Sequence, residues 1–192
     1  MRHDTATGIL REQHRLILRV VDAFQVAIAD PAAPVDTGRM EGFIRFFRLF
    51  TDSCHHGSEE DVLFTTMEEH GLAAAGGPLE AMREEHRYGR SLVRTMADAI
   101  PAIGAGDAAA RAAFTADAAT YIGFIRAHIA REDDGLFELA DNHIEGPACA
   151  RLCDAYEDVC QRRFEGMSLS ALERLAAELI EAHTAPSSAP HR

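Results

Sequence analysis

The stretch CHHGSEEDVLF, Cys54–Phe64, sets two histidines and three acids into a run whose apolar spacing is otherwise that of an amphipathic helix. The chain nearly repeats it at AHIAREDDGLF, Ala127–Phe137. In both copies a His is followed four residues later by a Glu, and then by Leu-Phe at one offset. Residues i and i+4 lie one above the other on a helix face, so each copy presents an imidazole and a carboxylate side by side.

Working outward, the spacing is helical almost everywhere and no alternating strand pattern stands out. A first helix is expected over about Thr7–Ala29, ending at Asp30-Pro31, and a second over about Thr37–His70, ending at Gly71. A third opens at Pro78, a favourable first-turn residue, and is broken by PAIGAGD; a fourth covers about Asp107–Asn142. Short Gly- and Pro-marked connections predict an all-α fold, an up-down-up-down four-helix bundle. Two additional C-terminal helices follow, about Ala148–Phe164 and Ser170–His183. The expected organisation is a bundle over 1–145, a helical extension packed on it over 146–184, and a disordered tail over 185–192.

Composition narrows the function classes. Nearly half of the 192 residues are apolar, and no apolar run approaches the roughly 20 residues of a membrane-spanning helix. The start MRHDTATGIL lacks the layout of a secretory signal, so a cytoplasmic address is expected. A net charge of −12 argues against a sequence-independent grip on nucleic acid or on anionic lipid. Cys54, Cys149, Cys153 and Cys160 fit no Cys-x-x-Cys spacing; Cys149, Cys153 and Cys160 share one helical face and read as small core residues, and no disulfide is expected.

His14, His86 and the His128/Glu132 pair each fall inside the apolar stripe of their helix. One such histidine is most simply a hydrogen-bonded core residue. The whole set is harder to bury, because an unpaired carboxylate in an apolar interior costs many kcal/mol. Cations resolve it, since neutral imidazoles and ionised carboxylates then become ligands. Four imidazoles and two carboxylates exceed one tetrahedral zinc and suit two octahedral-type ions. On the second helix the stripe alone favours His56 with Glu60, whereas the near-repeat places His55 on His128 and Glu59 on Glu132. The second alignment is preferred, with His56 and Glu60 behind the ligands or at the surface.

These motifs, with EQHRLIL before them and REEHRYGRSL between, resemble the hemerythrin-like (HHE cation-binding) family over about residues 8–142. The resemblance implies a non-haem di-iron site held by His14, His55, Glu59, His86, His128 and Glu132, the two glutamates bridging the irons. Zinc or manganese could substitute. It further implies binding of, or reaction with, dioxygen, nitric oxide or peroxide, with an unidentified electron donor. If the chain is an enzyme it is a di-iron oxidoreductase; the alternative is a sensor or metal-binding module without turnover. The oxygen carriers of the family place a second His four residues from the first on the third helix, where this chain has Met82 and Arg90. One imidazole fewer would leave an extra open metal position and favour reaction over carriage. A ferritin-like reading fits poorly, because no histidine has a Glu three residues before it. Tyr121 and Met82, one turn from ligands, are candidate pocket residues.

Overall fold

A computed structural model describes residues 5–30, 35–162 and 166–184. The expected tail and the end of the fifth helix at Phe164 lie outside the described residues. Among those described there are six continuous helices and no strand. Helix α1, Gly8–Ala27, turns Leu10, His14, Ile17, Val21 and Phe24 inward. Helix α2, residues 37–69, starts on Asp36, whose carboxylate accepts from the Arg39 N–H at 3.0 Å. Within α2, Phe47–His56 and Glu59–Leu63 wind as π-helix, between α-helical Thr37–Phe46 and Phe64–Glu69. Helix α3 is Pro78–Gly104. Helix α4, residues 108–143, is α-helical over Ala108–Arg131 and Phe137–His143 with a π segment, Glu132–Leu136, between. Helices α5, Pro147–Arg162, and α6, Leu169–Thr184, follow.

The break falls inside PAIGAGD, as expected, with α3 running through Pro101 to Gly104. Proline there removes one hydrogen bond in the last turn, while Ile100 and Ile103 on either side remain buried in the core. The true stop is Gly106, at φ 88°, with the Asp107 N–H on the Ala102 carbonyl and the Gly106 N–H on that of Ile103. This is the Schellman arrangement, which needs a left-handed residue. Asp107 then starts α4, its carboxylate accepting from the N–H groups of Ala109 at 2.8 Å and Ala110 at 3.1 Å.

Helix α3 lies along α4 and α1 along α6, while α2 touches α3, α5 and α6. The apolar interior divides into two clusters. One holds Ile17, Phe24, Phe47, Cys54, Leu92, Ile125 and Leu172; the other holds Leu10, Leu63, Phe64, Met82, Leu136, Phe137 and Tyr156. On each of the first four helices the histidines and glutamates singled out above fall between the two clusters. Leu10 precedes His14 and Ile17 follows; Cys54 precedes His55 and Leu63 follows Glu59; Met82 precedes His86 and Leu92 follows; Ile125 precedes His128 and Leu136 follows Glu132. The order of clusters reverses from each helix to the next.

Because the Asp107 cap satisfies two otherwise orphaned donors, Asp107→Ala is expected to destabilise the protein by about 1 kcal/mol. A lower urea midpoint at unchanged slope is the measurement that checks it.

Candidate metal centre

The layer between the clusters is a closed knot of polar side chains. His14, His55, Glu59 and Glu132 offer ligand atoms within 4.8 Å of one another, and so do His56, His86 and His128. All seven are buried; Glu59, Glu132, His86 and His128 have no exposed surface at all. The Nε2 atoms of His14, His55, His86 and His128 and all four carboxylate oxygens of Glu59 and Glu132 have no hydrogen-bond partner. They nevertheless face each other closely. His55 Nε2 lies 3.4 Å from Glu59 Oε1, His86 Nε2 lies 3.4 Å from Glu59 Oε2, and His128 Nε2 lies 3.3 Å from Glu132 Oε2. His14 Nε2 is 3.3 Å from Glu132 Oε2, and His86 Nε2 is 3.5 Å from Glu132 Oε1. Neighbouring ligands about 2.1 Å from one ion stand roughly 3 Å apart, so this is the spacing of groups aimed at a shared cation. Both glutamates reach both groups.

The far nitrogens are occupied. His14 Nδ1 meets Asp133 Oδ1 at 3.0 Å, and His55 Nδ1 meets Gln13 Oε1 at 2.9 Å. His86 Nδ1 meets Glu60 Oε1 at 2.7 Å, and His128 Nδ1 meets Glu85 Oε2 at 2.8 Å. An imidazole donating Nδ1–H to an acceptor keeps Nε2 unprotonated and fixed in direction, which is how proteins prepare histidine for a metal. The acids are gripped in turn: Arg11 donates to Asp133, Arg90 to Glu60 and Asp52, and Arg131 to Glu85.

Electrostatics without a cation are discordant. Burial, and then the facing Glu132, push the Glu59 carboxyl well above its usual range. Burial also works against Glu132, but His128, His14 and His86 outweigh it and hold that group low. His55 and His56 are driven well below the ordinary histidine value by burial and then by their imidazole neighbours. Burial opposes the charged form of Glu60 as well, yet hydrogen bonds and charge from His86 and Arg90 bring its pKa to about 2. Cations between the two glutamates remove the conflict, because both carboxylates can then be ionised and every imidazole neutral. The donor set fits them.

The π segments explain how two adjacent histidines enter one site. Neighbours on a regular α-helix point about 100° apart, so two adjacent side chains converge on one site only from the edges of a wide inward face. The wider i→i+5 turn of Phe47–His56 brings both in. His56 was expected behind the ligands or at the surface; it is 4% exposed, stacks on His86 with ring centroids 3.9 Å apart, and has neither nitrogen hydrogen-bonded. The buried layer therefore gathers five imidazoles rather than four. Met82, expected near a pocket, packs in the apolar cluster beside Leu79. His70, His143 and His183 each turn Nδ1 onto a carbonyl four residues back, at 2.7–2.8 Å. His3 and His191 lie outside the described residues.

The family described as Hemerythrin HHE cation binding domain matches residues 5–140, well over half of the chain. The chain belongs to the hemerythrin HHE family. No curated protein and no solved structure matches it. Within the HHE span the repeat is deeper than the two Leu-Phe motifs. Arg11-Glu12-Gln13-His14 on α1 is answered by Arg83-Glu84-Glu85-His86 on α3. Gln13 supports His55 as Glu85 supports His128, and Asp133 supports His14 as Glu60 supports His86. Phe137 stacks on His14 and Phe64 on His86, each with an arginine, Arg11 or Arg83, over its other side. This second repeat was legible in the HHE sequence and would have located Gln13, Glu85, Glu60 and Asp133 beforehand.

One expectation is overturned outright. Cys54 and Cys160 form a disulfide that ties the residue before His55 to α5. The expectation rested on an assumed reducing compartment, and spacing carries no signal for partners 106 residues apart. Both sulfurs lie against the Gln13 side-chain nitrogen, at 3.7 and 4.0 Å. Alkylation of denatured, unreduced HHE protein should therefore label two cysteines, Cys149 and Cys153. Opening so long a loop by Cys54→Ala/Cys160→Ala should lower stability by about 4 kcal/mol in urea unfolding.

Proposed function

We propose that this protein is a non-haem di-iron protein whose first four helices form an up-down-up-down bundle around the metals, with residues 146–184 as an extension of that bundle. The reversal of apolar clusters from helix to helix supports the bundle. Eight buried ligand atoms with no other partner carry the metal reading. His14 and His55 would hold one ion, His56, His86 and His128 the other, and Glu59 and Glu132 would bridge them. Two irons in that setting supply electrons and coordination positions for a small ligand: dioxygen, nitric oxide or peroxide.

The chain's own residues prepare that chemistry. The acceptors behind the imidazoles fix their tautomers, and Arg90 and Arg131 help hold Glu60 and Glu85 ionised. Phe64, Phe124 and Phe137 lie flat on His86, His128 and His14 and exclude water from three sides. No described helix is long and apolar enough to cross a membrane, and the cytoplasm remains the proposed address. A disulfide there would be redox-responsive rather than permanent. That favours one second reading: a sensor without turnover, in which the state of Cys54–Cys160 links the centre to α5.

Anaerobic titration of Fe(II) into metal-free protein is expected to saturate at two ions per chain and to raise the thermal midpoint. Glu59→Ala/Glu132→Ala should abolish tight uptake. His56→Ala should lower the affinity for one of the two ions by about ten- to a hundredfold, as a lost ligand contact does. On exposure to air the loaded protein should gain visible absorption that a zinc-loaded sample lacks. Stoichiometry of one or none, unaffected by the glutamate variant, would overturn the reading.

A further inference from the structure

The repeat that builds the centre fails on one side, and a cavity lies where it fails. In α2 and α4 the motifs are offset by 73 residues, so Thr51 corresponds to Phe124 and His56 to Ile129. In the α4 half, Phe124 lies flat on His128 and Ile129 joins the apolar core. In the α2 half, a hydroxyl and an imidazole stand at those positions instead. Both line a cavity of about 390 Å³ between α2 and α3, together with Phe47, Val93, Ala97 and Tyr121. At about 30 Å³ per water it has room for roughly a dozen, far beyond what a diatomic ligand requires.

The buried end of this cavity is chemically unfinished. Thr51 is 1% exposed, and its hydroxyl faces only that of Tyr121, another lining residue, without good hydrogen-bond geometry. His56 is the one imidazole of the five whose Nδ1 is unsupported, its nearest acid, Asp52, standing at 3.5 Å without a hydrogen bond. Asp52 is committed to Arg90. The flanking walls, Phe47, Val93 and Ala97, are apolar, and a mainly apolar pocket with a few convergent polar atoms is the usual form of a small-molecule site.

We propose that this cavity binds a small uncharged organic molecule, an apolar body the size of a substituted benzene ring with one oxygen function directed at Thr51 and His56. It would be the substrate or effector of the adjacent centre, and in that respect the inference rests on the metal reading above. The charged residues lining the cavity are mixed, Arg48, Arg90 and Arg94 with Asp52 and Asp98.

Phenol, toluene and benzoate titrated calorimetrically into metal-free and iron-loaded protein test this, with metal content measured separately on each sample. Phenol is expected to bind both forms at one site, and toluene about tenfold more weakly, the loss of one hydrogen bond. Thr51→Val should weaken phenol by a similar factor. Thr51→Phe, which restores the residue of the other half, should abolish phenol binding while leaving iron stoichiometry unchanged. Ala97→Phe, farther from the ligands, serves the same purpose should Thr51→Phe not fold. Phenol binding that survives both filling variants overturns the site. Equal affinity for toluene, or tighter binding of benzoate, overturns the assigned ligand class. Phenol binding to a protein that takes up no iron would sustain the cavity and sink only the metal reading.

Discussion

The constraint on which the structure depends is the desolvation of two carboxylates. Glu59 and Glu132 are fully buried, between two apolar clusters, with no N–H or O–H donated to either. An ionised carboxylate in that position is untenable without positive charge beside it. The rest of the layer follows from that. Imidazoles converge on the carboxylates with the nitrogens that their Nδ1 partners leave free, and a cation taken up between them would find those nitrogens neutral. The acids behind the imidazoles carry negative charge outward, and Arg11, Arg90 and Arg131 neutralise it where water begins. Charge alternates from the centre to the surface in three steps, each anchored by hydrogen bonds of 2.5–3.3 Å.

The arrangement comes from doubling one unit. A helix carrying Arg-Glu-(Gln/Glu)-His and a helix carrying His-x-x-x-Glu-(Glu/Asp), three residues short of Phe, occur twice. Each unit supports its own second histidine and the other unit's first: Glu85 backs His128, whereas Glu60 backs His86 and Asp133 backs His14. Neither half is complete alone. The crossed support makes the two hairpins cooperate, since separating them would strand His14 and His86 without acceptors and expose Phe64 and Phe137.

Much of this was legible in the residues. Helical class and approximate helix ranges followed from the apolar period, His14, His86, His128 and Glu132 were singled out by their place inside it, and His55 and Glu59 by the near-repeat. What escaped had physical reasons. His56 lay in the apolar stripe and was set aside only because the near-repeat pointed to His55; a choice of one histidine left no room for both, and the π turns around them leave no mark in the sequence. The break within PAIGAGD was legible, but its exact place was not, because the burial of Ile100 and Ile103 carries the helix past Pro101. The Cys54–Cys160 pair escaped because contact between distant segments is a property of the fold and not of spacing.

The two π segments at the glutamates bear on why the site is asymmetric. Both begin on the ligand acid and end on the leucine of the Leu-Phe motif, so they belong to the repeated unit. The longer one, Phe47–His56, has no counterpart: the matching part of α4 is regular α-helix up to Arg131. It is this unmatched segment that admits His56, and it does so where Thr51 replaces a phenylalanine. A regular turn is therefore relinquished in one half only, beside the cavity and beside the disulfide. Three departures from the repeat coincide within ten residues of α2, and each loosens or re-specifies packing that the other half keeps closed. The halves of a doubled scaffold would be equivalent; here α2 differs from α4 in the imidazole at His56, in the cavity beside Thr51 and in its covalent tie to α5.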